Sequence, residues 1–194
     1  LQHLFDSANI SATSFILTQT KRYIILLGIA LGMKYLHSQN IIYSHLSPSN
    51  ILLNDKYYPQ IFDFPYSLYS DYHLLKNPDE YMGSPIYLAP EIKTDETYTN
   101  KVDIYSFSVI AYELITSKPP PIQISEIPGE YTKFFMLKCH SNDPVERPSF
   151  DEIIDYIISK SFTKHFEHID FDEVFKFLDI FGDDSEIMNI RGVL

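Results

Sequence analysis

The chain has a single cysteine, Cys139, among its 194 residues. No intrachain disulfide can form, and a reducing, cytoplasmic setting is the natural expectation. Long apolar runs are also missing. The longest, residues 24–33, covers ten positions, too few to span a bilayer and right for a buried helix. No basic, apolar, small-residue leader opens the chain. Positive charge is scarce. The 15 Lys and Arg face 26 Asp and Glu, a net charge of −11, which argues against holding nucleic acid by bulk electrostatics. Acidic residues dominate from Asp151 onward, so part of this charge belongs to a tail. Internal repeats and low-complexity linkers are absent. The first residue is Leu rather than Met, and the expectation is a surviving part of something longer.

What is present is a globular composition. Hydrophobic residues make up 45% and aromatics 15%, and the length suits one domain, or one domain with a tail, around a real core. Residues 1–8 read as a short helix. Thr18 or Thr20 can cap a long helix to about Ser38, with Ile24, Leu27, Leu31 and Tyr35 recurring at three or four residues, and Asn40 stops it. Residues 50–53 and 60–62 read as two short strands joined by turn residues 54–57, a small hairpin. Residues 64–88 look irregular. A second long helix runs from Thr99 or Asn100 to about Ser117, with Val102, Tyr105, Val109, Tyr112 and Ile115 as its stripe. Pro119, Pro120 and Pro121 forbid its continuation. A helix near residues 131–139 follows. Another starts at Ser149, with Glu152 completing a capping box. A last helix covers roughly residues 171–181, with Phe171, Val174, Phe175, Leu178 and Phe181 as its apolar face and Gly182 as its cap. That face either packs back or binds a partner.

The most informative segment is Ile41-Ile42-Tyr43-Ser44-His45-Leu46-Ser47-Pro48-Ser49-Asn50-Ile51-Leu52-Leu53. It resembles the catalytic loop of protein kinases, HRDLKxxN followed by an apolar strand. Asp63-Phe64-Pro65 resembles the DFG motif. Gly83-Ser84-Pro85 and Ala89-Pro90-Glu91 resemble the substrate-binding stretch and the APE motif. Asp103-Ile104-Tyr105-Ser106-Phe107-Ser108 resembles the start of the family's central helix. Cys139 through Arg147-Pro148-Ser149-Phe150 resembles the CW…RPSF segment of tyrosine-kinase-like Ser/Thr kinases. Each motif is weak alone, but their order is specific. The resemblance covers roughly residues 1–160. It implies a mainly helical, kinase-like C-lobe of the α+β family with one small hairpin, an acidic helical tail over 161–194, and no N-lobe within this chain.

The resemblance implies ATP and Mg2+ as cofactors. Asn50 and Asp63 match the family's two magnesium ligands, and both supply the oxygens that hard cations prefer. The plainer reading has Asn50 closing a turn and Asp63 ending a strand. Leu52 matches the apolar floor under the adenine ring, although core packing would equally explain it. Glu91 and Arg147 match a buried ion pair, and Asp103 matches the carboxylate that accepts N–H groups of the catalytic loop. Tyr43 and Phe64 keep aromatic bulk where the family stacks His and Phe.

The departures fall on the reacting positions. His45 stands at the catalytic Asp position and Ser47 at the Lys position. Ser44 replaces the Arg that meets a phosphorylated activation loop, in a region where Tyr66, Ser67, Tyr69, Ser70, Tyr72 and Tyr81 offer hydroxyls. Pro65 replaces a glycine, fixing φ and removing an N–H. Only about a dozen residues follow the central helix before the next one, so the family's intervening helix is expected to be lost or reduced. His165 and His168 could share a helix face as metal ligands, with a solvated pair as the plainer reading. Three functions stay open: a pseudokinase that binds or scaffolds, an active Ser/Thr kinase recorded without its N-lobe, and a nucleotide-free helical interaction module. Each meets a protein partner or substrate, with no nucleic acid and no membrane.

Overall fold

The structure is a computed structural model that describes residues 1–6, 17–64, 68–69, 84–94, 98–181 and 185–194. Pro65, Tyr66, Ser67, Ser70, Tyr72, Tyr81, Gly83 and Gly182 lie outside the described residues. No helix among the described residues is long and apolar enough to cross a membrane.

A short helix α1, Gln2–Asp6, precedes α2, Gln19–Ser38. Thr18 caps α2, its Oγ1 accepting the Lys21 N–H at 3.2 Å, which satisfies one of the orphan donors of the first turn. The helix is buried over most of its circumference, from Tyr23 through Leu27 and again at Ile29, Ala30, Leu31 and Met33. A helix apolar all round is a hub rather than a surface helix. Tyr35, expected in an inward stripe, is instead 65% exposed, because this last turn of α2 meets the body through Leu36 and His37.

The strands are short and come in two pairs. β1, Ile41–Ile42, pairs antiparallel with β4, Leu68–Tyr69, and β2, Ile51–Leu53, pairs antiparallel with β3, Pro59–Ile61. The expected single hairpin is therefore one of two small sheets, and the 64–88 stretch is not wholly irregular. The β2–β3 turn is closed by Asn54, whose Oδ1 accepts the Lys56 and Tyr58 N–H groups at 2.9 and 3.0 Å.

Next come α3, Glu91–Thr94, and α4, Lys101–Thr116. α4 ends on Ser117 in the left-handed region, and the buried guanidinium of Arg22 donates to Leu114 O at 3.2 Å and to Ser117 Oγ. A cation at the negative end of a helix favours the dipole. α5, Glu130–Cys139, follows after a connector whose helical content is one 3-10 turn, Ile124–Glu126. α6, Phe150–Ile157, opens on the expected capping box. Ser149 N donates to Glu152 Oε2 at 2.8 Å and Glu152 N to Ser149 Oγ at 3.2 Å.

The last elements are α7, Lys160–Thr163, α8, Phe171–Leu178, and α9, Ser185–Val193. Asp170 caps α8. Val174, Phe177 and Leu178 are buried in the same core as α2, α4 and α6, each contributing up to about 1.5–3 kcal/mol. The helix thus packs back on the body. Phe181, expected on the inward face, is exposed, and Phe177 takes the inward place. Gly28 of α2 makes this possible, since a Cβ there would meet Pro59 Cγ at 2.5 Å and Phe177 Cζ at 2.8 Å. The hairpin and α8 touch α2 at one point where a side chain has no room.

Candidate functional site

The loop after β1 is held from below by one carboxylate. Asp103, in the first turn of α4, is fully buried. Its Oδ2 accepts the Tyr43 N–H at 3.0 Å and its Oδ1 the Ser44 N–H at 2.7 Å, while His37 Nε2 lies 2.9 Å from Oδ2. Ser44 has φ 57°, a left-handed conformation that costs a non-glycine residue roughly 1–3 kcal/mol. The two hydrogen bonds to a charged acceptor, on the order of 1.5–3 kcal/mol each, offset that cost. The buried Ser44 side chain bonds to Tyr98, whose hydroxyl pKa is raised mainly by burial.

The loop then turns over a 3-10 segment, Pro48–Asn50. Asn50 is buried, and its Nδ2 donates to His45 O at 2.8 Å. With the amide nitrogen committed to the loop, Oδ1 is the group Asn50 can offer a ligand. Ser47 is 2% exposed, and its Oγ shares a 2.8 Å hydrogen bond with Ser49 Oγ. His45 is buried as well. No carboxylate or cation occupies either position.

The register of the hairpin brings the second oxygen donor alongside. Ile51 faces Ile61, and Phe62 N donates to Asn50 O at 3.2 Å, so Asp63 follows directly on the residue that flanks Asn50. Asp63 is exposed and has φ 64°. Its neighbours hold this strained backbone. The Tyr43 hydroxyl donates to Phe62 O, and the Tyr43 and Phe64 rings meet edge to face at 5.3 Å. A non-glycine outlier fixed from both sides is the kind of strain that gathers at functional sites. Leu52 points away from the core and is 50% exposed, as strand alternation requires beside a fully buried Ile51. Core packing therefore does not account for Leu52. Asn50 precedes β2 and Asp63 follows β3 at the same end of the hairpin, and Leu52 is the middle residue of β2.

Glu91 and Arg147 stand apart from this end and form a bidentate pair. Nη1–Oε1 is 2.6 Å and Nη2–Oε2 is 2.9 Å. Arg147 is 1% exposed, and it also donates to Ser141 O at 2.8 Å and Lys101 O at 2.9 Å and lies over the Tyr105 ring. The structure thus groups the site residues into three sets: Tyr43, His45, Ser47 and Asp103 along the loop, Asn50, Leu52, Asp63 and Phe64 at the hairpin, and Glu91 with Arg147 at the base. His37, Tyr98 and Glu113 were not singled out in the sequence. Glu113 accepts from the Tyr87 hydroxyl at 2.6 Å, and Ser106 Oγ donates to Tyr87 O at 2.7 Å, fastening residues 84–91 to α4. These are contacts between distant elements, and no local period marks them. His165 and His168 do not share a helix face. His168 lies beyond α7 with φ 58°, and no metal-holding group of three or more His, Cys, Asp or Glu occurs among the described residues.

The profile of the protein kinase domain matches residues 2–157. The chain belongs to the protein kinase family. The RGS domain-containing serine/threonine-protein kinase A of Dictyostelium discoideum is 36% identical over 150 residues, covering 69% of this chain and 13% of that protein. The dual specificity protein kinase shkB of the same organism is 30% identical, covering 73% of this chain and 25% of that kinase. The serine/threonine/tyrosine-protein kinase HT1 of Arabidopsis thaliana is 32% identical, covering 66% of this chain and 37% of that kinase. The kinase domain seen here therefore spans well under half the length of these relatives.

Proposed function

We propose that residues 1–160 are the helical lobe of a protein-kinase-like domain impaired in phosphoryl transfer, with 161–194 an acidic helical tail, and that the domain acts as a pseudokinase scaffold for a protein partner. The observation that carries this reading is the loop itself. His45 and Ser47 are both buried, and the Ser47 hydroxyl is engaged with Ser49. Kinase catalysis is mostly positioning and charge stabilisation. Loss of a general base costs about 10²–10⁴ in rate, and loss of one charge-stabilising donor about 10²–10³. These losses do not simply add, but together they bring turnover near background.

A second reading concerns the nucleotide. The family uses ATP and Mg2+, and the donor chemistry fits. Asn50 Oδ1 and the Asp63 carboxylate would hold the ion, and Leu52 would lie under the base. The ion would supply neutralisation of phosphate charge. We therefore expect nucleotide binding to survive where transfer does not.

Two measurements on the whole natural protein that carries this chain test these readings. In a phosphate-transfer assay, His45→Asp with Ser47→Lys raises the rate at least about 100-fold; equal rates overturn the impairment. In a thermal-shift titration, ATP with Mg2+ raises the Tm, and Asp63→Asn abolishes the rise. No rise for the unmodified protein favours the nucleotide-free interaction module.

A further inference from the structure

α5 is anchored by one face and bare on the other. Thr132, Met136 and Cys139 are buried. The Tyr156 hydroxyl donates to Thr132 Oγ1 at 2.8 Å, and the Phe135 ring stacks on Tyr156 at 3.9 Å, so α5 is fixed to α6. The opposite face carries Tyr131, Phe134 and Leu137, which are 59%, 56% and 50% exposed. Side chains three apart are neighbours on a helix surface, so the three form one stripe. A contiguous apolar stripe on a rigid element is a mark of an interaction surface.

The charges on this face are arranged about Phe134. Glu130 stands four residues before it and Lys138 four residues after it. The three form one i±4 row, with Tyr131 and Leu137 on its two flanks. The Glu130 side chain is 91% exposed, with Oε1 engaged by Lys133 at 2.7 Å. Lys138 is exposed, and its ammonium lies 5.0 Å from the centre of the Phe134 ring. A row with an acid at one end, an aromatic ring at its centre and a base at the other end is its own complement when reversed. A two-fold axis at Phe134 lays Glu130 beside Lys138 of a second copy and Lys138 beside its Glu130. The two Phe134 rings meet at the axis, flanked by Tyr131 and Leu137 of both copies. Contact between i±4 rows is the commonest way for helices to pack, and a two-fold interface requires this kind of self-complementarity.

We infer that the outward face of α5 is a self-association surface, and that its occupant is α5 of a second copy of this chain, packed antiparallel about Phe134. A partner carrying only acidic groups would face Glu130 with its own sign, and one carrying only basic groups would face Lys138 so. A second copy satisfies both ends at once. A tyrosine or phenylalanine buries 150–250 Å² when fully covered, so the three half-exposed side chains offer about 300–400 Å² per copy. Two copies together fall short of the roughly 1,200 Å² where standard interfaces begin. The dimer is therefore weak, with a Kd on the order of 10–100 µM. The pairing is independent of whether the loop transfers phosphate.

The test is sedimentation equilibrium of the whole natural protein that carries this chain, up to about 300 µM at about 0.15 M salt, where the net charge is screened beyond about 8 Å. A monomer–dimer equilibrium is expected, and Phe134→Asp should abolish it. Glu130→Lys and Lys138→Glu should each weaken the dimer about fivefold to tenfold, because the symmetry counts each change twice. Combined in one chain, the two reversals should restore affinity to within about twofold of the unmodified protein. Phe134→Cys under oxidised glutathione should give a disulfide-linked dimer, since helix axes about 8–10 Å apart bring the two Cα atoms within disulfide reach. Tyr35→Cys, as exposed but on α2, should not. A monomer at every concentration would leave the face to an unlike partner and overturn the inference. A dimer indifferent to Phe134→Asp, or a double reversal as weak as the singles, would overturn it too. All the substituted side chains are exposed, so the variants read pairing rather than folding, and an unchanged Tm verifies this.

Discussion

Asp103 holds the loop from α4 and Ser47 stands within it, and the two are equipped very differently. Asp103 is a fully buried carboxylate with the Tyr43 and Ser44 N–H groups and the His37 ring on its two oxygens. Ser47 is uncharged and shares its hydroxyl with Ser49. Glu91 with Arg147 belongs to the first kind, a charged pair whose hydrogen-bonding capacity is met by carboxylate and backbone. His45 belongs to the second. The loop's shape is set from outside, by α4 and by the Tyr43 contacts with Phe62 and Phe64. Asn50 also ties the loop from within, through His45 O, and the expectation is that the side chains at positions 45 and 47 can change while this frame stays.

The largest effect should come from the frame. Glu91→Ala leaves Arg147 buried without its carboxylate and should cost about 3–5 kcal/mol, read by urea unfolding. The double variant Glu91→Met with Arg147→Met should cost less than either single change. A mild single-variant effect would break the contrast between frame and loop. Asp103→Asn comes next, at roughly 1–3 kcal/mol, because its amide nitrogen cannot accept the second loop N–H. Hydrogen exchange at Tyr43 or Ser44 should accelerate first, and uniform acceleration across the chain would assign Asp103 to general stability instead. Gly28→Ala should cost on the order of 1–3 kcal/mol through overpacking, with exchange rising at both the β2–β3 hairpin and α8. An effect confined to one of them would show that the two do not share that contact.

The smallest effect is in pH. With the His140 pKa pushed down to about 4 by burial and by Arg147, the unfolded chain binds a proton between about 4 and the ordinary histidine value near 6.5 that the folded chain refuses. Stability contributed by the neutral ring is therefore full above that window and falls as pH drops through it. His140→Phe should flatten the loss of Tm between pH 7 and 5. An unchanged slope would move the titration elsewhere.

Legibility in the sequence followed the range of the physics. Thr18, the Ser149–Glu152 box and the proline stop after α4 are local signals, and the helices they bound lie within a residue or two of expectation. The β2–β3 hairpin was equally readable from its turn. The β1–β4 pair was not, because two-residue strands have no period and their partner is distant. The exposure of Tyr35 and Phe181 and the burial of Phe177 depend on which helices pack where, and spacing does not carry that. At the site, the ordered motifs located the loop, the hairpin and the Glu91–Arg147 contact. His37 against Asp103 and Ser108 against His140 join residues far apart in sequence, so nothing local announced them.

If frame and chemistry are separable, restoring the chemistry should need no change to the frame. The direct measurement is phosphate transferred from ATP in a single turnover by the unmodified protein, His45→Asp, Ser47→Lys and the double variant, with urea stability measured on the same samples. The account predicts a gain of at least about 100-fold in the double variant and smaller gains in the singles. Equal transfer by the unmodified and double-variant proteins, at equal stability, would contradict it.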